Sequence, residues 1–181
     1  MFQKYFVFTA DREVGTSGKL LLVGNDSGCV QGIGVSSRAT VFNAPVPSAA
    51  TAIAAIGPNT FAVGCQGGQI VTFDLRKVVP SKEMSPATPT PILDLMCHPR
   101  TPIGVKPGSD ESSRYFWAAK NDGTCSLVNP NVAEGSHFVQ LTGPDCDPVY
   151  KIKQDGNNIY TACRDGVIRK YSINLVSKVL Q

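Results

Sequence analysis

The stretch Asn157–Ile173, NNIYTACRDGVIRKYSI, consists of two β-prone runs on either side of a polar turn. Ile159–Ala162 are β-forming or small residues, and Val167–Ile173 is the second run. Between them lies Arg164-Asp165-Gly166. An Asp-Gly pair between two such runs is a strong hairpin signal, because glycine adopts without strain the positive φ that hairpin turns require. The stretch therefore predicts a β-hairpin.

This pattern occurs four times in the chain. Each copy has an apolar run, a polar turn that ends in glycine and a second β-prone run, and the other three copies are Lys19–Val35, Asn59–Leu75 and Arg114–Asn129. The aligned turn glycines are separated by 40, 55 and 43 residues, and they are Gly28, Gly68, Gly123 and Gly166. A period of about 40–45 residues is typical of a four-stranded propeller blade.

Each copy is flanked by two further candidate strands. The preceding runs are apolar, as an inner strand should be, and they are Tyr5–Thr9, Ala50–Ile56, Pro91–Cys97 and Pro148–Lys153. The following runs are short and more polar, as an edge strand should be, and they are Thr40–Asn43, Val78–Met84, His137–Leu141 and Ser177–Leu180. The sequence therefore predicts an all-β propeller segment of four-stranded antiparallel blades. It forms one domain, 1–181, with blades at about 1–46, 47–86, 87–143 and 144–181.

Two insertions explain the longest separation. The prolines of Pro80–Pro91 predict an irregular loop, and Thr101–Ser113 predicts a second polar loop inside the third blade. Few windows have helical periodicity, and prolines interrupt them.

Composition narrows the function classes. The chain of 181 residues is 42% hydrophobic and 17% charged, which favours an ordered globular domain. A net charge of +3 is too small to predict a nucleic-acid partner. No apolar run approaches the ~18 residues of a membrane span, and the apolar patch after Lys4 is shorter than a signal-peptide core. We therefore expect a cytoplasmic or nuclear protein.

The sequence predicts no catalytic residues, no cofactor and no metal. The six cysteines contain no CxxC pair, so buried free thiols are favoured over a zinc site or a disulfide framework. The two histidines have no evident nucleophile and orienting partner. Asp145 and Asp147 flank Cys146 in a segment of turn composition, and the glycine-rich stretches precede no helix that could bind phosphate.

With these units aligned, the chain resembles the WD-repeat β-propeller family. In Gly67–Arg76, GGQIVTFDLR, Phe73-Asp74 stands where the family has Trp-Asp. In the other units this position is held by Ile33-Gly34, Val128-Asn129 and Tyr171-Ser172. Leu93–Pro99, LDLMCHP, is similar to the family's inner strand and the turn after it. The family's Gly-His dipeptide is absent, so the resemblance implies blades held more by apolar packing than by the family's Asp-His network.

Four blades are few for a propeller of this type. The range is about 4–8, and the resemblance implies a ring nearer seven, so we expect an open half-ring with apolar end faces. No strand precedes Tyr5 that could close the ring in the family's usual way. The missing part could be the rest of a longer polypeptide, a second chain or a second copy, and a compact four-bladed ring is the remaining alternative.

The favoured function is a non-catalytic scaffold for protein–protein interaction, because loops on a rigid framework carry recognition. The candidate contact residues are Lys120, Asn121, Arg164 and Arg169, together with the Pro80–Pro91 loop. We expect turn-forming roles for Asp122, Asp165 and the four aligned glycines. The alternatives are a propeller that binds phosphoinositide headgroups or another small ligand, and a propeller enzyme.

Overall fold

The fold is built from β-strands. The computed structural model describes residues 5–13, 19–56, 59–77, 79–85, 89–97, 115–129, 137–143, 146–155 and 157–172, with backbone alone for 5–13, 19 and 137–139. None of these residues lies in a helix. The strands form four antiparallel sheets in which each strand pairs with the next along the chain. This architecture is that of propeller blades and confirms the predicted fold class.

Successive chain segments form the successive sheets. Sheet 1 consists of β1 (Tyr5–Glu13), β2 (Lys19–Asn25), β3 (Cys29–Gly34) and β4 (Thr40–Pro45). Sheet 2 consists of β5 (Ala50–Ala55), β6 (Thr60–Cys65), β7 (Ile70–Asp74) and β8 (Val79–Met84). Sheet 3 consists of β9 (Ile92–Cys97), β10 (Phe116–Lys120), β11 (Thr124–Val128) and β12 (His137–Thr142). Sheet 4 consists of β13 (Val149–Asp155), β14 (Asn158–Cys163) and β15 (Ile168–Ser172).

One sequence prediction was wrong in part. The sequence assigned Pro80–Met84 twice, to the candidate edge strand Val78–Met84 and to the irregular loop Pro80–Pro91. The strand is confirmed and the loop was wrong for these residues, because Val79–Met84 is β8 and pairs with β7. Pro80 is the one proline within β8, and it is tolerated because β8 lies at the outer edge of its sheet, where prolines are accommodated. The predicted loop Thr101–Ser113 and the predicted strand Ser177–Leu180 lie outside the described residues.

The sheets stack side by side in chain order. Their innermost strands touch in succession, β1 against β5, β5 against β9 and β9 against β13. Within the described residues no comparable contact joins sheet 4 to sheet 1, so the stack is not closed into a ring. Three apolar cores fill the three spaces between neighbouring sheets.

The alternation of side chains along the strands divides each sheet between two cores. In sheet 2, Phe61 and Phe73 point toward sheet 1, and the neighbouring Ala62 and Ile70 point toward sheet 3. Phe61 and Phe73 are directly paired across β6 and β7, and their rings stack with centroids 5.0 Å apart. Phe42 of sheet 1 completes this aromatic cluster, 6.2 Å from the ring of Phe61.

Two polar side chains on inner strands connect sheet 2 to sheet 3 and sheet 3 to sheet 4. The Thr51 hydroxyl on β5 is within hydrogen-bonding distance of the Gly64 carbonyl oxygen and of the Ile92 carbonyl oxygen on β9, and its single proton is shared between the two. The Asp94 carboxylate on β9 accepts the N–H of Ile152 on β13, at 3.1 Å. Because β9 and β13 are the end strands of their sheets, backbone groups on their free edges have no ladder partner. Thr51 and Asp94 thus bond the Ile92 carbonyl and the Ile152 N–H.

Candidate protein-binding surface

The four hairpin turns share one geometry. Each aligned glycine has a positive φ, which is +77° at Gly28, +86° at Gly68, +83° at Gly123 and +79° at Gly166. In sheets 2 to 4 the glycine N–H bonds the carbonyl three residues earlier, as at Gly166 to Cys163, 3.1 Å. A left-handed glycine that closes a short loop is the arrangement of three-residue hairpins.

Each turn in sheets 2 to 4 is fixed to the chain that enters its own sheet. The N–H groups of Gln66, Asn121 and Arg164 donate to the carbonyls just before the inner strands, at 2.9 to 3.0 Å. The turns therefore lie at the end of each sheet where the inner strand begins. We call the four turns, residues 25–28, 65–68, 120–123 and 163–166, the turn face.

Two aspartates stabilise the third and fourth turns through the backbone. Asp122 Oδ1 accepts the Thr124 N–H, and Asp165 Oδ1 accepts the Val167 N–H, both at 2.9 Å. Asp165 also pairs with Arg169, with Oδ2 2.5 Å from Nη2. The Arg169 guanidinium and then the Val167 N–H hold the pKa of the Asp165 carboxyl below its usual value.

The third and fourth turns meet through the connector before β13. A Cβ added at Gly123 would lie 2.4 Å from the carbonyl carbon of Cys146, so a side chain there would collide with the backbone. Cys146 itself has a positive φ of 51°. The next residue, Asp147, binds Arg164 in the fourth turn, with Oδ1 2.7 Å from Nη2. Lys120, Asn121 and Arg164 are thus on neighbouring parts of one surface.

The four predicted contact residues differ in exposure. Asn121 is exposed, and the Arg164 side chain is 63% exposed although it is bound to Asp147. Lys120 is half-buried, and this burial lowers the pKa of its ammonium. The Arg169 side chain is 15% exposed and lies against Gly143 of the adjacent connector. Asn121 and Arg164 are therefore the better placed of the four to contact another protein.

Sequence reasoning missed two acidic residues that organise this region. Asp94 binds both the Ile152 N–H and Lys151 Nζ, the latter at 3.2 Å, and so joins sheets 3 and 4. Asp147 fixes the fourth turn, although its segment had been assigned only turn composition. The signal for Asp94 was available, because a carboxylate inside the apolar run Ile92–Cys97 requires a partner.

Within the described ranges, no three metal-ligating side chains come together. The described part of the chain also contains no helix long and apolar enough to cross a membrane. The thiols of Cys65 and Cys125 are buried, and burial raises the pKa of both, that of Cys65 to about 11.

Comparison with known proteins shows similarity to one group. The chain is 33% identical over 164 residues to proteasomal ATPase-associated factor 1 of Gallus gallus, and 31% identical over 165 residues to the Homo sapiens protein of that name. It is 25% identical over 170 residues to the probable proteasomal ATPase-associated factor 1 of Dictyostelium discoideum. The aligned regions cover 90–91% of this chain but only 38% of each relative. No protein-family model matches the chain.

Proposed function

We propose that this chain is a non-catalytic interaction scaffold that acts in a complex with proteasomal ATPases. The observation that carries the proposal is the similarity over 91% of the chain to proteins named as associated with those ATPases. The stack of sheets supports it, because short turns held by hydrogen bonds at one end of such a stack present a defined surface. The compartment that we expect for this role is the cytosol or nucleus.

In this proposal the chain is one WD-repeat-type segment of a larger propeller. Its four units have the bounds predicted from the sequence, about 1–46, 47–86, 87–143 and 144–181. The register supports the unit alignment, because Ile33, Phe73, Val128 and Tyr171 occupy the same position after the turn. The relatives extend well beyond the region that this chain matches, and their additional length could supply the remaining blades.

The proposed contact surface is the turn face around Asn121 and Arg164. The test is direct binding of the purified chain to purified human proteasomal ATPases, measured by biolayer interferometry. The double variant Asn121→Ala/Arg164→Ala should weaken binding at least ten-fold, because exposed residues at the centre of a contact carry most of its affinity. Lys77→Ala is the matched control, since Lys77 is an exposed turn residue after β7, at the opposite end of the sheets.

Two results would contradict the proposal. Absence of binding by the unchanged chain would refute the ATPase partner. Equal binding by the double variant and the control would refute the turn face as the contact surface. Circular dichroism of each variant checks that the sheets remain folded.

A further inference from the structure

One face of sheet 4 is uncovered at positions that are buried in the other sheets. Ile168 stands two residues after the turn glycine and is 70% exposed. The residues that stand at the same position in sheets 1, 2 and 3 are covered by the next sheet and are only 0–5% exposed. They are Val30, Ile70 and Cys125. The face of sheet 4 that carries Ile168 therefore has the character of an inter-sheet contact without its neighbour.

A second position on this face is suited to close approach by another sheet. In sheet 1 a Cβ added at Gly24 would lie 2.7 Å from Ala50 Cβ of the next inner strand. In sheet 2 a Cβ added at Gly64 would lie 2.5 Å from Ile92 Cγ2. These positions are small because the following strand packs directly on them. Sheet 4 has the small residue Ala162 at this register, paired with Ile168.

The charge of this face indicates what would cover it. Tyr160, Ala162 and Ile168 are accompanied by Lys153 and Lys170, which are directly opposite Tyr160 on its two neighbouring strands. Lys151 lies on the same face, and its ammonium pairs with Asp94. Asp155 is an acidic residue of this face, at the end of β13 where that strand pairs with Asn158. A covering surface must therefore be apolar at its centre and must bring carboxylates to the lysines, since burying an unpaired ammonium is costly.

On the uncovered face of sheet 1, the described side chains of the central strands β2 and β3 do not meet this requirement. They are apolar or neutral, and they include Leu21, Val23, Gln31 and Ile33. A second copy of this chain that docked head to tail would place Lys153 and Lys170 against them. The charge pattern thus favours a different partner.

We propose that the face formed by Tyr160, Ala162, Ile168, Lys153 and Lys170 is the docking site for a further propeller sheet with carboxylates opposite the two lysines. We take this sheet to come from polypeptide corresponding to the part of the relatives that this chain does not match. The inference rests on the proposed propeller segment, but it is independent of the turn face and of the ATPase partner.

The test is co-expression of the tagged chain with the unmatched remainder of the Gallus gallus relative, followed by co-purification and sedimentation. We expect a 1:1 complex. Ile168→Asp should abolish it, and Lys153→Glu/Lys170→Glu should reduce its recovery at least ten-fold by charge repulsion. Lys77→Glu, on an exposed turn away from this face, should have no effect. The melting temperature of each variant alone should stay within a few degrees of the unchanged chain, because the altered side chains are exposed.

Each other result overturns the inference in a distinct way. No complex with the unchanged chain refutes completion by this polypeptide, whatever the ATPase binding assay shows. A complex that survives both variants refutes the face. Loss with Ile168→Asp but not with the lysine reversal refutes the acidic partner surface. Self-association of the chain that Ile168→Asp abolishes would identify the occupant as a second copy.

Discussion

Ile70 and Ile168 provide a matched pair of substitutions, because the same residue type stands at the same register in sheets 2 and 4. Ile70 is 5% exposed, whereas Ile168 is 70% exposed. Replacement by alanine removes three carbons, worth about 2.4 kcal/mol of transfer free energy when fully buried. With the cavity added, Ile70→Ala should reduce the free energy of unfolding by about 2–4 kcal/mol. Ile168→Ala removes side-chain atoms that are mostly in solvent and leaves no cavity. It should therefore reduce the free energy of unfolding by less than about 1 kcal/mol.

The assay is urea unfolding of both variants followed by circular dichroism, with the slope of free energy against urea checked for each. Ile70→Val and Ile168→Val repeat the comparison with a milder change, for which about 0.5–1.5 kcal/mol is expected at the buried site alone. Equal losses at the two positions would refute the reasoning, because they would mean that the face of sheet 4 is covered in the isolated chain.

Three further predictions follow from the packing and the charges. Gly64→Val should lower the free energy of unfolding by about 1–3 kcal/mol in a thermal melt, because its Cβ would lie 2.5 Å from Ile92 Cγ2. Arg76 holds the pKa of the Asp74 carboxyl at about 2, below the value of about 3.9 in the unfolded chain. The stability that ionised Asp74 contributes is therefore complete above about pH 3.9 and is lost as the pH falls toward 2. Asp74→Asn should flatten this part of the acid unfolding curve. With a thiol reagent at pH 8, exposed Cys146 should react at once, whereas buried Cys65, whose pKa is raised to about 11, should react only on unfolding.

The hairpins were predictable because their determinants are local. Gly28 or Gly166 can be recognised in the sequence as turn residues, since a few neighbours decide the turn. The repeat of that local signal was sufficient to predict the four sheets. The sequence assigned Pro80–Met84 both to an edge strand and to a loop. The strand forms because its pairing with β7 outweighs its unfavourable composition.

Contacts between sheets were beyond the reach of the sequence. Arg169 was predicted to be a contact residue, but its partner Asp165 and the adjacent Gly143 leave it mostly covered. Asp94 meets Ile152, which lies 58 residues further along the chain, so no local pattern relates them. Such contacts depend on how whole sheets stack. The alternation of apolar residues indicates which faces are buried, but not which residues meet across them.

The serial arrangement of the three apolar cores also has a consequence for how the chain opens. Sheets 2 and 3 each lie between two cores, whereas sheets 1 and 4 each border one. In a structure whose units contact only their neighbours, releasing an end unit breaks one interface and releasing an internal unit breaks two. Amide hydrogens of β6 and β10 should therefore exchange only through near-global unfolding, while those of β14 exchange through partial opening. Exchange would then proceed inward from the ends, and a partner seated on sheet 4 would be seen first as slowed exchange there.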